Sequence, residues 1–148
     1  GGKEQVMDSA YIIGVGMIRF GKYLNGSVRG MAREAFELVL KDAGLTKDAI
    51  EAAYISNTFW GMFSNQHSIK GEVMLWDIGM NGIPIVNCEN ACAGASTALH
   101  LGYTAIRAGM STRTCVPLPA NRPRNATGPS GRPATTSATN GGSSRHAA

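Results

Sequence analysis

Residues 111–148 contain no acidic side chain and no lysine; their five charges are all arginine, at Arg113, Arg122, Arg124, Arg132 and Arg145. The chain as a whole has 14 basic and 10 acidic residues, a net charge of +4. Every acid lies before residue 111, so the body is close to neutral and the excess belongs to the C-terminal segment. A body without a basic face does not grip a phosphate backbone. The arginine segment has no aromatic residue to stack on bases, so no nucleic-acid partner is expected.

Cysteine is also scarce. Cys88, Cys92 and Cys115 are an odd set with no CxxC pair, which argues against a disulfide framework and fits a reducing, cytoplasmic setting. No apolar run approaches the twenty or so residues of a membrane span, and nothing resembles a secretory leader. No membrane partner is expected.

What remains is a chain of two compositions. Residues 111–148 are dominated by Pro, Gly, Ser, Thr, Ala, Asn and Arg without apolar periodicity, and they are expected to be disordered. Arginine as the sole charge, with Pro, Ala and Gly, also fits an out-of-frame reading of GC-rich DNA. Codons built from the last base of one codon and the first two of the next can read D-x-D-V-x-x-A-A-G-E from Ser111 onward. At the other end, residues 1–8 read as a leader. Lys3-Glu4 can be encoded as a ribosome-binding sequence ahead of a start at Met7, which would leave residues 1–6 untranslated.

The body, residues 9–110, alternates strand and helix signals. Ala10–Arg19 (AYIIGVGMIR) reads as a buried strand. Its Gly14-Val15-Gly16 lacks the third glycine of a dinucleotide fingerprint, since that position is Arg19, so the glycines read as close-packing residues. Ser27–Ala43 is the clearest helix, capped by Ser27 and stopped by Gly44, with Val28, Met31, Ala35, Leu38, Val39 and Ala43 on its apolar face. A strand over 53–59, a loop over 60–67, a helix over 68–78 and a strand over 83–87 follow. The pattern predicts an α/β layered domain.

The stretch Asn87–Gly102 (NCENACAGASTALHLG) carries the chemistry. A helix over 91–108 is small and uncharged on nearly every side before Arg107, and such a helix is expected to be buried all round, best between two sheets. Cys92 stands at its N-terminus, where unpaired N–H groups and the macrodipole favour a thiolate and can support a developing oxyanion. Those are the needs of an acyl-accepting nucleophile. A buried structural cysteine is the competing reading. A metal pair with Cys88 is disfavoured, because no second pair of ligands follows.

NCENACAGASTALHLGYTAIRAGM resembles the nucleophile segment of the thiolases. YIIGVGMIRFGKY resembles their first strand, SVRGMAREAFELVLKDAGLTKDAIEAAYISNTFWG their first helix and second strand, and QHSIKGEVMLWDIGMNGIPIVN the approach to the nucleophile. The similarity covers residues 9–110, part of the N-terminal half of such an enzyme. Its details are closest to the acetyl-CoA acetyltransferases related to the sterol-carrier-protein thiolases. The β-ketoacyl synthases share the fold but differ in the opening strand and helix, and a condensing enzyme of that type is the runner-up reading.

The resemblance implies an incomplete thiolase-like αβα half-domain. Its activity would be acyl transfer between CoA thioesters through an acyl-cysteine at Cys92, in 3-ketoacyl-CoA thiolysis or the reverse condensation. Acyl-CoA and CoA are the implied partners, as substrates, with no separate cofactor and no metal; the full-length family implies a homo-oligomer. A non-catalytic lipid-binding scaffold of the same fold remains an alternative. The family's catalytic histidine and second cysteine come from its C-terminal half, and neither motif occurs here. His67 is expected in a loop, His100 as a core residue two turns from Cys92, and His146 and Cys115 fall in the C-terminal segment. The chain alone is therefore expected to be weakly soluble and catalytically negligible. In the family the segment after RAGM is a strand of the form D-V-x-L-A-x-G-x-E, close to what the shifted frame can encode. Sequencing the coding DNA past codon 110 should show that strand in the other frame; a stop or unrelated residues there would remove the frame-shift reading.

Overall fold

The computed structural model describes residues 9–117. The expected leader, residues 1–8, and residues 118–148, with His146 among them, lie outside the described residues. The elements are α1 (Val28–Ala43), β1 (Ala52–Ser56), α2 (Trp60–Ser64), α3 (Lys70–Trp76), β2 (Ile85–Cys88), α4 (Gly94–Arg107) and β3 (Thr114–Cys115), with short 3-10 turns at Lys47–Ala49 and Ala91–Ala93.

β1 is the middle strand of a parallel three-stranded sheet ordered β2-β1-β3. Ala53 pairs with Ile85 and Ser56 with Cys88 on one side, and Ala52 with Thr114 on the other. All five residues of β1 are buried, because helices cover both faces. Ala53 and Ile55 join Phe36 of α1 and Met74 and Leu75 of α3 in the larger core. Ala52 and Tyr54, pointing the other way as strand alternation requires, pack with Ala98 and Ala105 of α4. The result is the expected α/β layering, helix on sheet on helix.

α1 begins where Ser27 accepts a hydrogen bond from the Gly30 N–H at 3.0 Å. It ends where Gly44 takes the left-handed conformation at φ 64°. Its buried face is Val28, Met31, Ala32 and Phe36, turned away from the expected stripe through Leu38, which is exposed. The reason lies in residues 10–19. That segment joins no strand, contrary to expectation, and runs antiparallel along α1 instead. A Cβ on Gly14 would meet Ala43 Cβ at 2.7 Å and one on Gly16 would meet Val39 N at 2.6 Å, so both glycines are needed for this approach. Val15 N–H donates to the Asp42 carboxylate at 2.9 Å. The Ala35–Val39–Ala43 row of α1 thus meets the glycine segment, and its Phe36 side meets the core.

The segment expected to be disordered from residue 111 divides. Residues 111–117 belong to the described fold, and Thr114–Cys115 form β3. Strand pairing uses backbone groups, which composition does not remove. A clasp on Glu51 holds the segment: its carboxylate accepts from Thr112 N–H at 2.6 Å, from the Thr112 hydroxyl at 2.6 Å and from the Arg113 guanidinium at 3.4 Å. Arg113 Nε also donates to the Ala49 carbonyl at 2.7 Å. Ser111 beside it is buried, and its hydroxyl has no partner among the described residues.

The two Thr112 bonds, with Arg113 adding to them, hold the Glu51 carboxyl below the usual carboxylate range. A folded-state value below the unfolded one contributes stability above the unfolded pKa, and that contribution fades as pH falls through the folded value. The Thr112 amide should therefore be protected from hydrogen exchange at neutral pH and lose protection in acid. At neutral pH, Glu51→Ala should speed tryptic cleavage after Arg113, and an unchanged cleavage rate would show that the clasp does not hold β3.

Candidate functional site

Cys92 lies where β2 hands over to α4. β2 delivers the chain from the sheet at Cys88, and Glu89-Asn90 begin a turn that becomes the 3-10 turn Ala91–Ala93 and then α4. The turn is tight enough to force Ala91 to φ 43°, in the left-handed region. A residue with a Cβ rarely occupies that region, and the strain there is on the order of 1–3 kcal/mol. Surrounding bonds must impose it.

Those bonds are visible. Glu89 Oε1 accepts from Ala91 N–H at 2.8 Å. The Thr58 hydroxyl, from the loop after β1, lies 3.2 Å from both Glu89 Oε1 and the Ala91 carbonyl oxygen, so one hydrogen serves two acceptors. Asn90 Nδ2 donates to Thr97 Oγ1 at 2.9 Å, and Thr97 Oγ1 donates in turn to the Ala93 carbonyl at 3.1 Å. On the inner side α4 meets β1 at Gly94, where a Cβ would collide with the Ser56 hydroxyl. Glycine there lets the helix N-terminus approach the end of β1, and this sets the depth at which the turn sits.

Cys92 is exposed, whereas Cys88 and Cys115 are buried. Among the described residues nothing buries Cys92. Burial pushes the Cys88 thiol up, and it pushes the Cys115 thiol up to about 12. Cys115 faces the core from β3, as an inert apolar residue would. No group of three or more His, Cys, Asp or Glu among the described residues could hold a metal ion.

The oxyanion support expected from the turn is narrower than the sequence implied. Ala91 N–H goes to Glu89, Ala93 N–H to the Asn90 carbonyl at 2.9 Å, and Gly94 N–H to the Ala91 carbonyl. The histidines divide. His67 is exposed after α2 and covers Gly61; the loop expected over 60–67 is helical from Trp60 to Ser64, and His67 lies in the part that stays a loop. His100 is exposed on α4, a correction to the core role expected of it.

The same correction applies to α4 as a whole. Only Gly94, Ala98, Gly102 and Ala105 are buried, while Leu99, Leu101 and Tyr103 stay exposed. The sheet covers one face, and no second sheet is present among the described residues to cover the other. The sequence reading passed over Thr58 and Glu89. Glu89 was findable: it is the last acidic residue in the chain, standing three positions before Cys92.

The fold places the chain among the thiolase-like α/β/α proteins. The priming β-ketosynthase of the R1128 polyketide pathway superposes with a TM-score of 0.51 over 60% of this chain and 26% of that chain, at 21% identity. No family model matches the sequence. Among curated proteins, non-specific lipid-transfer protein-like 2 of Caenorhabditis elegans is 38% identical over 106 residues, 68% of this chain and 24% of the relative. Acetyl-CoA acetyltransferase of Methanothermobacter thermautotrophicus is 32% identical over 103 residues, 70% of this chain and 27% of the relative. The benzoylsuccinyl-CoA thiolase subunit BbsB of Thauera aromatica is 34% identical over 104 residues, 68% of this chain and 25% of the relative. Over that stretch the homologues of the chain are acetyl-CoA acetyltransferases, which are thiolases, and sterol-carrier and lipid-transfer proteins. The chain spans about a quarter of the length of these relatives.

The burial pattern predicts an ordered thiol reactivity. With iodoacetamide at neutral pH, Cys92 should be alkylated in the native chain, and Cys88 and Cys115 only after denaturation. Peptide mass mapping that finds Cys115 labelled as fast as Cys92 would contradict the packing of β3.

Proposed function

We propose that the chain carries the nucleophile segment of a thiolase-type acyltransferase, with Cys92 as the residue that takes the acyl group. The observation that carries this reading is the exposed Cys92 on a strained strand-to-helix turn. A residue held in a sparsely populated conformation beside a reactive group is often retained because it aims that group, and a strand-turn-helix elbow is a recurrent way to present a nucleophile. The acyl-CoA chemistry in the names of several relatives supports the substrate class.

In the first half-reaction the Cys92 thiolate attacks the carbonyl carbon of an acyl-CoA. The tetrahedral adduct collapses, the C–S bond to CoA breaks, and the CoA thiolate leaves and takes up a proton. What remains is an acyl-Cys92 thioester. In the second half-reaction the acyl group passes to CoA, or to the α-carbon of a second acyl-CoA in the condensing direction. The Cys92 proton and the α-carbon proton each need an acid/base group. The resemblance assigns these to a histidine and a second cysteine; Cys115, buried in β3, does not fill either role. Full turnover is therefore assigned to a longer assembly, a homo-oligomer by the family's pattern and cytoplasmic by the cysteine usage, and the acylation step to this chain.

A second reading is a lipid-binding scaffold without transfer chemistry. It draws on the lipid-transfer and sterol-carrier names among the relatives and on the exposed apolar residues of α4. The two readings differ at Cys92. With acetyl-CoA as probe, intact mass should show one acetyl group on the chain, removable by hydroxylamine and absent from Cys92→Ala, with no sustained thiolysis. Reversible acyl-CoA binding that survives Cys92→Ala, without any adduct on the parent chain, would replace the transferase reading with the scaffold.

A further inference from the structure

We propose that Thr58 and Glu89 are positioning residues that fix the peptide before Cys92 and so aim its sulfur; this rests on the reading of Cys92 as the nucleophile. A left-handed alanine next to an exposed thiol is an arrangement the backbone does not keep unaided. An extended or right-handed Ala91 is lower in energy and would redirect Cys92. Something outside the residue has to supply the difference.

Two side chains from separate parts of the chain meet on that peptide. Glu89, two residues before Ala91, reaches forward to accept Ala91 N–H at 2.8 Å. Thr58, 33 positions earlier, comes from the loop that follows β1 and places its hydroxyl 3.2 Å from Glu89 Oε1 and 3.2 Å from the Ala91 carbonyl oxygen. Ala91 is thus held at its N–H by Glu89, and its carbonyl faces the same Thr58 hydroxyl that steadies Glu89. Because Thr58 belongs to β1's exit and Glu89 to β2's exit, the pair also ties the two neighbouring strand ends together at the turn. The β1–β2 register, Ser56 opposite Cys88, brings them side by side.

The division of labour follows from the chemistry. Glu89 is an acceptor for the turn: one oxygen, Oε1, takes both the Ala91 amide and the Thr58 hydroxyl. Its proposed role is positioning, exerted through Ala91, and not proton transfer at Cys92. Glutamine keeps an acceptor oxygen in the same place, so Glu89→Gln should preserve the turn, whereas Glu89→Ala removes the acceptor. Thr58→Val keeps the shape and removes the hydroxyl.

The test uses the full 148-residue chain and two readouts. Hydrogen exchange at the Ala91 amide reads the turn itself. Glu89→Ala should raise it by roughly tenfold, the scale of one lost hydrogen bond to a charged group; Thr58→Val should raise it less, and Glu89→Gln should stay near the parent. Acetylation by acetyl-CoA reads the aim of the sulfur, and it should fall with Glu89→Ala and Thr58→Val and be restored by Glu89→Gln. Exchange at Ala91 that is the same in all four chains overturns the positioning role, whatever acetylation does. Exchange that responds as expected in a chain whose parent is never acetylated keeps the clasp and defeats the nucleophile reading instead. A Glu89→Gln chain that behaves like Glu89→Ala would show that charge, not the acceptor geometry, holds the turn, and would also overturn the proposal as stated.

Discussion

Five residues, Ala52–Ser56, set the terms for everything else in the fold. Both other strands pair with them, α3 packs on one of their faces and α4 on the other, and the strand's exit carries Thr58 to the turn at Cys92. A strand buried on both faces tolerates little variation in depth. Ala52 and Ala53 keep the two helix layers close, and Ser56 sits so near Gly94 that no side chain fits between them. The position of Cys92 is thus a consequence of how closely α4 can lie on β1. The turn chemistry at Glu89 and Ala91 adjusts an orientation that the sheet has already located.

Local patterning exposed part of this in the sequence and hid the rest. α1 was legible from its cap and its glycine stop, both short-range signals. The Cys92 turn was legible because small residues after a strand end have few other uses. Residues 10–19 misled, because an apolar run with Tyr, Ile and Val expresses strand propensity and not the existence of a neighbour to pair with. Among the described residues that neighbour is absent, and the two glycines take the segment to α1 instead. His100 and the outer face of α4 misled for the same reason: composition reports what a helix is suited to contact, whereas burial depends on what is there to contact it. Thr58 and Glu89 were hidden because their pairing exists only once β1 and β2 are in register.

The open faces carry a consistent physical message. Tyr11 is 80% exposed, Ile12 73% and Met110 78%, and Phe59, Met62, Trp76 and Leu99 are also exposed. Large apolar side chains left exposed on several elements are costly in water, and apolar surface in such amounts normally marks a contact. Relatives about four times as long supply more chain than this stretch accounts for. In the proposed acyl transfer, one further structural unit would both cover α4 and bring acid/base groups to Cys92.

The segment after residue 110 bears on which frame of the coding sequence is at work. A buried apolar side chain is wanted where Cys115 sits, and either frame provides one, since the shifted codon spanning Thr114 and Cys115 encodes Val, Leu or Met. Core packing therefore does not separate the two frames. Glu51 is exposed enough to remain charged, and it is satisfied by the hydroxyl and amide of Thr112 and by the Arg113 guanidinium. The shifted reading can encode aspartate at the codons spanning Ser111–Thr112 and Arg113–Thr114. A strand with those acids would meet Glu51 as a like charge rather than as a clasp. The written residues make Glu51 the anchor of β3, at the cost of one buried hydroxyl at Ser111.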